Sequence, residues 1–258
     1  MPRLRLPRRL EHGEEASLVE HLDELRSRIF IVLAAVSIGT VIGFVIHTHL
    51  IHWLLILLPH QYRKLNYFSP VEGFTTTLWI SVYFGVFVTL PIILWQVWAY
   101  FTPAVQKGRL KLIKWLALLA GVLAVAGLAF GYFLVLPNAL KFLTGYNAGQ
   151  LNYVPQAKPY LAFCVHVLAA MMVVFLLPVF VIALTRLGIM TTASLKKNRR
   201  IAWFSLGVLG MAVAPSVDPV TTTLQAAPLF ILFEGSIIAC ALLDRREAKK
   251  RLSPALET

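Results

Sequence analysis

Few side chains in this sequence are equipped for chemistry, and they gather in a handful of places. Near the start, Asp23 and Glu24 stand beside Arg26 and Arg28 in the run His21-Leu22-Asp23-Glu24-Leu25-Arg26-Ser27-Arg28. A carboxylate accepts two parallel donors from a guanidinium fork, so such a position suits recognition of an arginine from outside the chain. The same spacing lets Glu24 pair inside its own helix, with Arg28 at i+4 or with Arg26. Glu234 is the only carboxylate deep in an apolar run, where an ionisable group is costly and functional by default. It would either relay protons or pack as a protonated or hydrogen-bonded group, near Thr221 to Thr223 or against a neighbouring helix. The packing role is the simpler expectation.

The remaining candidates carry less. His47 and His166 are each expected to make a hydrogen bond between helices rather than to bind a metal. Cys164 and Cys240 both fall within apolar runs, so neither a disulfide nor a cysteine-ligated metal is expected, and both read as packing residues. Gly127 and Gly131 form a GxxxG pair suited to close helix packing. No HExxH, GxSxG, P-loop or dinucleotide motif occurs, so no cofactor or metal is expected and the chain does not read as an enzyme.

The elements that must position these groups are membrane helices. From Gly73 to Gln106 there is no charged side chain, a run longer than the roughly 20 helical residues that cross the ~30 Å hydrocarbon of a bilayer. Hydrophobic residues make up 58% of the chain and charged residues 14%, far from a water-soluble domain. Further uncharged runs cover Ile29 to Tyr62, Trp115 to Leu140, Pro159 to Thr185, Ile201 to Val217 and, broken only by Glu234, Pro219 to Leu243. They lack the polar alternation of barrel strands, so they read as helices. The expectation is an all-α integral membrane protein of six transmembrane helices, near residues 29–47, 74–101, 115–136, 160–185, 201–215 and 220–242. The fifth is short and the sixth begins with polar Thr221, Thr222, Thr223 and Gln225, which points to local thinning or a covering partner.

Of the 24 Lys and Arg, all but Arg63, Lys64, Lys141 and Lys158 fall on one side of this layout. The positive-inside rule then places both termini in the cytoplasm, in an inner (plasma) membrane, multi-pass arrangement. The net charge of +12 is explained by topology and anionic lipid head groups, and nucleic acid is not an expected partner. The full-length first apolar run reads as an anchor rather than a cleaved signal, and Arg8-Arg9 as ordinary cytoplasmic charge.

Along the chain, 1–16 reads as a disordered tail, 17–243 as the membrane domain and 244–258 as a basic cytoplasmic tail. Ser17 to Arg28 predicts an amphipathic surface helix, capped by Ser17 with Glu20, with Leu18, His21, Leu22 and Leu25 on one face and Glu20, Asp23 and Glu24 elsewhere. Ile51 to Leu58 predicts a short far-side helix ended by Pro59, with Trp53, Tyr62 and Tyr67 at the interface. The connection holding Pro137, Pro155 and Pro159 predicts a second structured extracytoplasmic cap. Pro91, Pro178 and Pro228 predict kinks within spans. No internal repeat is evident, which speaks against an inverted-repeat transporter.

Four stretches stand out together: His21 to Arg28; Ser69-Pro70-Val71-Glu72-Gly73-Phe74; Pro91 through Gln96, Tyr100 and Phe101 to Pro103; and Asp218 through Pro228 to Phe233-Glu234. Together they resemble the TatC family, the multispanning receptor subunits of twin-arginine protein translocases. The resemblance runs over 17–243 with the six-span layout. It implies a receptor and scaffold that recognises twin-arginine signal peptides and assembles with TatA- and TatB-type single-span proteins, as a homo- or hetero-oligomer, to export folded proteins. Any energy would come from the membrane potential or proton gradient through the complex. It further implies signal-peptide contacts at Glu24, Asp23, Arg26, Tyr100 and position 109, and partner-helix contacts at Thr221, Thr222, Gln225 and Glu234. Pro70, Glu72, Pro91, Pro103 and Asp218 take structural roles.

Three polar family positions are replaced here. Counting from Pro103, the usual glutamate is Arg109, the usual lysine of the second span is Trp79, and the glutamate before the proline of the fourth span is Leu176. Arg109 would repel an incoming arginine, which weakens or alters recognition unless Glu20, Asp23 or Glu14-Glu15 compensates. Two other readings follow: a diverged relative with lost or altered signal recognition, and, of another class, a proton-coupled small-solute transporter using Glu234.

Overall fold

Apolar runs without polar alternation have one way to pair their backbone in lipid segment by segment, and every long run here is helical. The structure, a computed structural model, describes residues 18–101, 110–146, 153–186, 188–213 and 219–252. The 1–16 tail, Ser17, Pro103, Arg109, Asp218 and 253–258 lie outside the described residues. The helices are α1 Leu18–Val45, α2 His47–Ile56, α3 Pro70–Phe101, α4 Leu110–Phe130, α5 Leu136–Gly145, α6 Ala157–Arg186, α7 Thr192–Lys197, α8 Arg199–Val213 and α9 Pro219–Leu252. Among the described residues five stretches are long and apolar enough to cross a membrane: Leu22–Val45, Pro70–Val97, Trp115–Gly145, Ala157–Arg186 and Pro219–Arg245. The expected fifth of six spans corresponds to α8, whose 15 residues reach only about 22 Å at 1.5 Å per residue.

Several expected boundaries are corrected. The surface helix expected before residue 29 is not separate: α1 is one helix from Leu18 to Val45, with no Gly or Pro between Leu18 and Ile38 to divide it. The helical stretch of the third expected span continues past 136. A π-helical turn, Gly131–Val135, joins α4 to α5, taking up the register change beside Pro137, which has no N–H to donate. The helix of the sixth expected span continues beyond 242, because the segment from Asp244 to Leu252 is rich in good helix formers and carries α9 onward. The short helix α2 ends at Ile56, before Pro59. Pro91, Pro178 and Pro228 each sit inside an unbroken helix.

The chain divides into two units. One holds the described residues up to Leu50 with Gly73–Gly121. Its core is a crossing of α1 and α3 lined by small residues. A Cβ on Gly39 would stand 2.9 Å from the Gly85 Cα, and one on Gly85 would stand 2.7 Å from the Thr40 backbone nitrogen. Gly43 meets Ser81 in the same way, its Cβ falling 3.0 Å from the Ser81 carbonyl oxygen. Ser81 and Thr89 donate their hydroxyls to the carbonyls of Thr77 and Gly85, so they enter the contact as small, satisfied groups. α3 starts on a capping arrangement: the Val71 N–H reaches the Ser69 hydroxyl, the Glu72 carboxylate accepts from the Phe68 N–H, and Pro70 takes the first helical position. Pro70 and Glu72 therefore define where this helix begins.

The other unit holds Ile51–Glu72 and the described residues from Val122 onward. α6 is its most buried helix and packs along α9. The Gly127-Gly131 pair packs on α6 as expected: a Cβ on Gly127 would stand 2.7 Å from the Met171 carbonyl oxygen. Within this unit the end of α2 is closed by side chains. Tyr132 donates to the Trp53 carbonyl at 2.9 Å, Tyr160 to that of Leu54 at 2.6 Å, and Arg63 to those of Ile56 and Leu58 at 3.1 Å. These add donors to carbonyls at and just beyond the end of α2, where that of Leu54 also accepts the Leu57 N–H, and Arg63 opposes the negative end of the dipole. The segments around Asn66 and Gln156 then pair, the Asn66 N–H donating to Pro155 and the Ala157 N–H to Asn66. At the end of α6, Gly188 adopts φ 80°, a conformation that favours glycine, while its N–H meets the Thr185 carbonyl.

Candidate functional site

Glu24 lies in the second turn of α1, and α3 supplies the groups opposite it. Arg28, one turn further along α1, directs Nε to the Glu24 Oε1 at 3.0 Å and bonds the same oxygen through Nη2. Its Nη1 donates to the Gln96 Oε1 at 3.0 Å and its Nη2 to the Ala99 carbonyl at 3.3 Å. Ala99 is within the last turn of α3, so a cation there meets both an orphan carbonyl and the negative end of the helix dipole. Arg28 thus does two jobs, neutralising Glu24 and capping α3. Its side chain is 21% exposed and that of Glu24 18%. Among the described residues no hydrogen bond reaches the Glu24 Oε2, which remains an open acceptor.

The neighbours are arranged differently from the expected amphipathic face. Leu22 is 63% exposed, while Glu24 turns toward α3, because Arg28 draws it there. Asp23 is exposed, Tyr100 is half-buried, and the Arg26 guanidinium lies over the Phe30 ring at 5.8 Å, away from the carboxylate pair. The structure therefore brings together Glu24, Arg28, Gln96 and the end of α3, and leaves Asp23 and Arg26 outside that cluster. The i+4 spacing signalled the Glu24–Arg28 pair. Gln96 lay in a recognised motif without an assigned partner, since only the α1–α3 crossing sets it opposite Arg28.

Glu234 is paired. Its Oε1 accepts from the Arg199 Nε at 2.5 Å and from the Trp203 indole N–H at 2.8 Å, both on α8. Arg199 also lies over the Trp203 ring at 5.7 Å, and Trp203 packs on Phe230 at 5.2 Å. Of the expected roles, the arrangement is that of a hydrogen-bonded group packed against a neighbouring helix, α8, and the bonds go to Arg199 and Trp203 rather than to Thr221 to Thr223. In the first turns of α9, Thr221 and Gln225 are buried within the unit, while Thr222 and Glu234 keep partial exposure. Gln225 is buried with neither amide atom hydrogen-bonded among the described residues. Beyond α8, Asp244 accepts from the Thr192 hydroxyl at 2.6 Å and lies 3.8 Å from the Arg186 guanidinium.

The His47 Nδ1 lies 2.6 Å from the Phe44 carbonyl, joining the start of α2 to the last turn of α1, and the His166 Nδ1 lies 2.6 Å from the Ala162 carbonyl one turn earlier in α6. Cys164 and Cys240 are free and buried, and no metal-binding cluster occurs among the described residues. Trp79 is exposed and begins an aromatic row with Tyr83 and Phe87, at ring separations of 6.4 and 6.2 Å. Leu176 is buried in the apolar interior of its unit, surroundings that suit a leucine.

Residues 20–228 match the family model described as Sec-independent protein translocase protein (TatC). The TatC protein of Carboxydothermus hydrogenoformans is 32% identical over 231 residues, covering 90% of this chain and 95% of its own length. Bacillus subtilis TatCd is 30% identical, covering 94% and 98%. A crystal structure described as the twin arginine translocase receptor TatC superposes with a TM-score of 0.73 at 32% identity, over 86% of this chain and 98% of that one.

Proposed function

The chain belongs to the TatC family of Sec-independent protein translocase proteins, and from that premise we propose that it is the signal receptor and assembly platform of a twin-arginine translocase. The observation that carries the reading is Glu24: a half-buried carboxylate at the start of α1 with one oxygen engaged by Arg28 and the other open. An arginine of a signal peptide approaching Oε2 would find a charge-assisted acceptor. Asp23, exposed beside it, offers the second arginine a further acceptor, and Arg26, Tyr100 and Arg109 are proposed to contribute to signal recognition.

In this reading the five long apolar segments and the shorter α8 lie in the membrane, with both termini cytoplasmic. TatA- and TatB-type single-span helices meet the α8–α9 side, where Thr222 and Glu234 retain partial exposure, and the basic loops contact anionic lipid. Proton-coupled solute transport is disfavoured because the Glu234 carboxylate is held by Arg199 and Trp203. A diverged relative without signal recognition is motivated only by Arg109, Trp79 and Leu176.

The test is crosslinking of a photoreactive twin-arginine signal peptide to the chain in native membranes, with a Lys-Lys peptide as control. Arginine-dependent crosslinks near Glu24, reduced at least about tenfold by Glu24→Gln, are expected for the loss of one charge-assisted contact. Equal crosslinking by both peptides, or none to correctly inserted protein, would favour the diverged relative.

A further inference from the structure

We propose that Arg28 sets the preference of the Glu24 carboxylate for arginine over lysine. This rests on the reading that Glu24 meets the paired arginines of a signal, and it names the residue that selects among cations there. Arg28 holds Glu24 through Oε1 alone, while its other donors are tied to the Gln96 side chain and the Ala99 carbonyl of α3. Anchored on both helices, the guanidinium cannot swing aside when a second cation arrives. The incoming group must approach Oε2 beside a fixed positive charge, in a pocket where both side chains are about four-fifths covered.

Two guanidinium groups tolerate that arrangement. Their charge is delocalised and their faces are weakly hydrated, so the planes stack while the edges keep their donors on the carboxylate. An ammonium is a compact, strongly hydrated point charge. It surrenders more hydration on entering the half-buried site and has no plane to lay against Arg28. A bare carboxylate would attract either cation; Arg28 makes entry conditional on shape. Arg26, engaged over Phe30, does not contribute to this filter.

The experiment measures the affinity of a twin-arginine signal peptide and its Lys-Lys counterpart for the full chain in lipid nanodiscs. It compares the unmodified protein with Glu24→Gln, Arg28→Gln and Arg28→Lys, with thermal unfolding of each preparation. In Arg28→Gln the arginine-to-lysine affinity ratio falls about tenfold, through tighter binding of the lysine peptide. Arg28→Lys keeps the charge but lacks the plane, and its ratio falls as well. An unchanged ratio in the folded Arg28 variants, with Glu24→Gln still losing binding, overturns the selector role and leaves the receptor reading standing. Binding by Glu24→Gln equal to that of the unmodified protein removes the receptor reading, and the proposal with it. Should Arg28→Gln fail to fold, Arg28→Lys decides.

Discussion

Glu24 and Glu234 are both held near apolar surroundings by an arginine, yet their settings differ. Glu24 is held by a neighbour in its own helix that also reaches α3, whereas Glu234 depends on α8 for Arg199 and Trp203. The second arrangement makes Glu234 a tie between two helices. Arg199 is 54% exposed, so its attraction is screened and the pair contributes about 1 kcal/mol or less. A double-mutant cycle of Arg199→Ala with Glu234→Gln, read by denaturant unfolding in detergent, is expected to give a coupling of about 0.5 kcal/mol. Strict additivity would show that the tie contributes nothing. The i+4 partner of Glu24 was legible in the sequence, because helical spacing dictates it. The partner of Glu234 was not, since Arg199 is far from it along the chain and becomes a neighbour only through the packing of α8 on α9.

Helices of similar composition pack closely here wherever small residues coincide on facing turns. The Gly127-Gly131 pair was readable as a motif, but the α1–α3 crossing mixes Gly39 and Gly43 with Ser81, Gly85 and Thr89, and its parts become a contact surface only when the two helices meet. Each site is testable by adding atoms. Gly85→Val and Gly127→Val drive a side chain into the backbone of the facing helix and should each cost roughly 3 kcal/mol. Gly235→Ala, where a Cβ meets nothing within 4 Å, should be neutral or slightly stabilising, by up to about 1 kcal/mol. Thermal unfolding of the three variants in one detergent checks the ranking; a Gly85→Val protein as stable as Gly235→Ala would refute the tight crossing. Helix ends were less legible than helix existence. The third span was expected to close near 136, and a π-helical turn over Gly131–Val135 instead leads directly into α5, with Pro137 in its first turn.

At the scale of the whole chain, charge distribution gives the proposed orientation its test. In cells expressing single-cysteine variants with Cys164 and Cys240 replaced, an impermeant maleimide added outside should label position 64 and leave position 250 unlabelled until the membrane is opened. The reverse pattern would invert the proposed topology. The sequence by itself determined that this is a multi-pass helical membrane protein of the TatC family. Long apolar runs have no other low-cost state in lipid, and the motifs carry the family pattern in order along the chain. It also determined that Glu24 sits within reach of Arg28, since that is a property of one helix. Only the tertiary structure decided which groups complete each cluster: Gln96 and the Ala99 carbonyl on Arg28, Arg199 and Trp203 on Glu234, Tyr132 and Tyr160 on the end of α2. It likewise decided that Thr221 and Gln225 are buried within their unit. Periodicity reports that a helix has faces, but which face is covered depends on the helices packed against it, and in lipid an apolar sequence marks its buried and exposed sides with nearly the same residues.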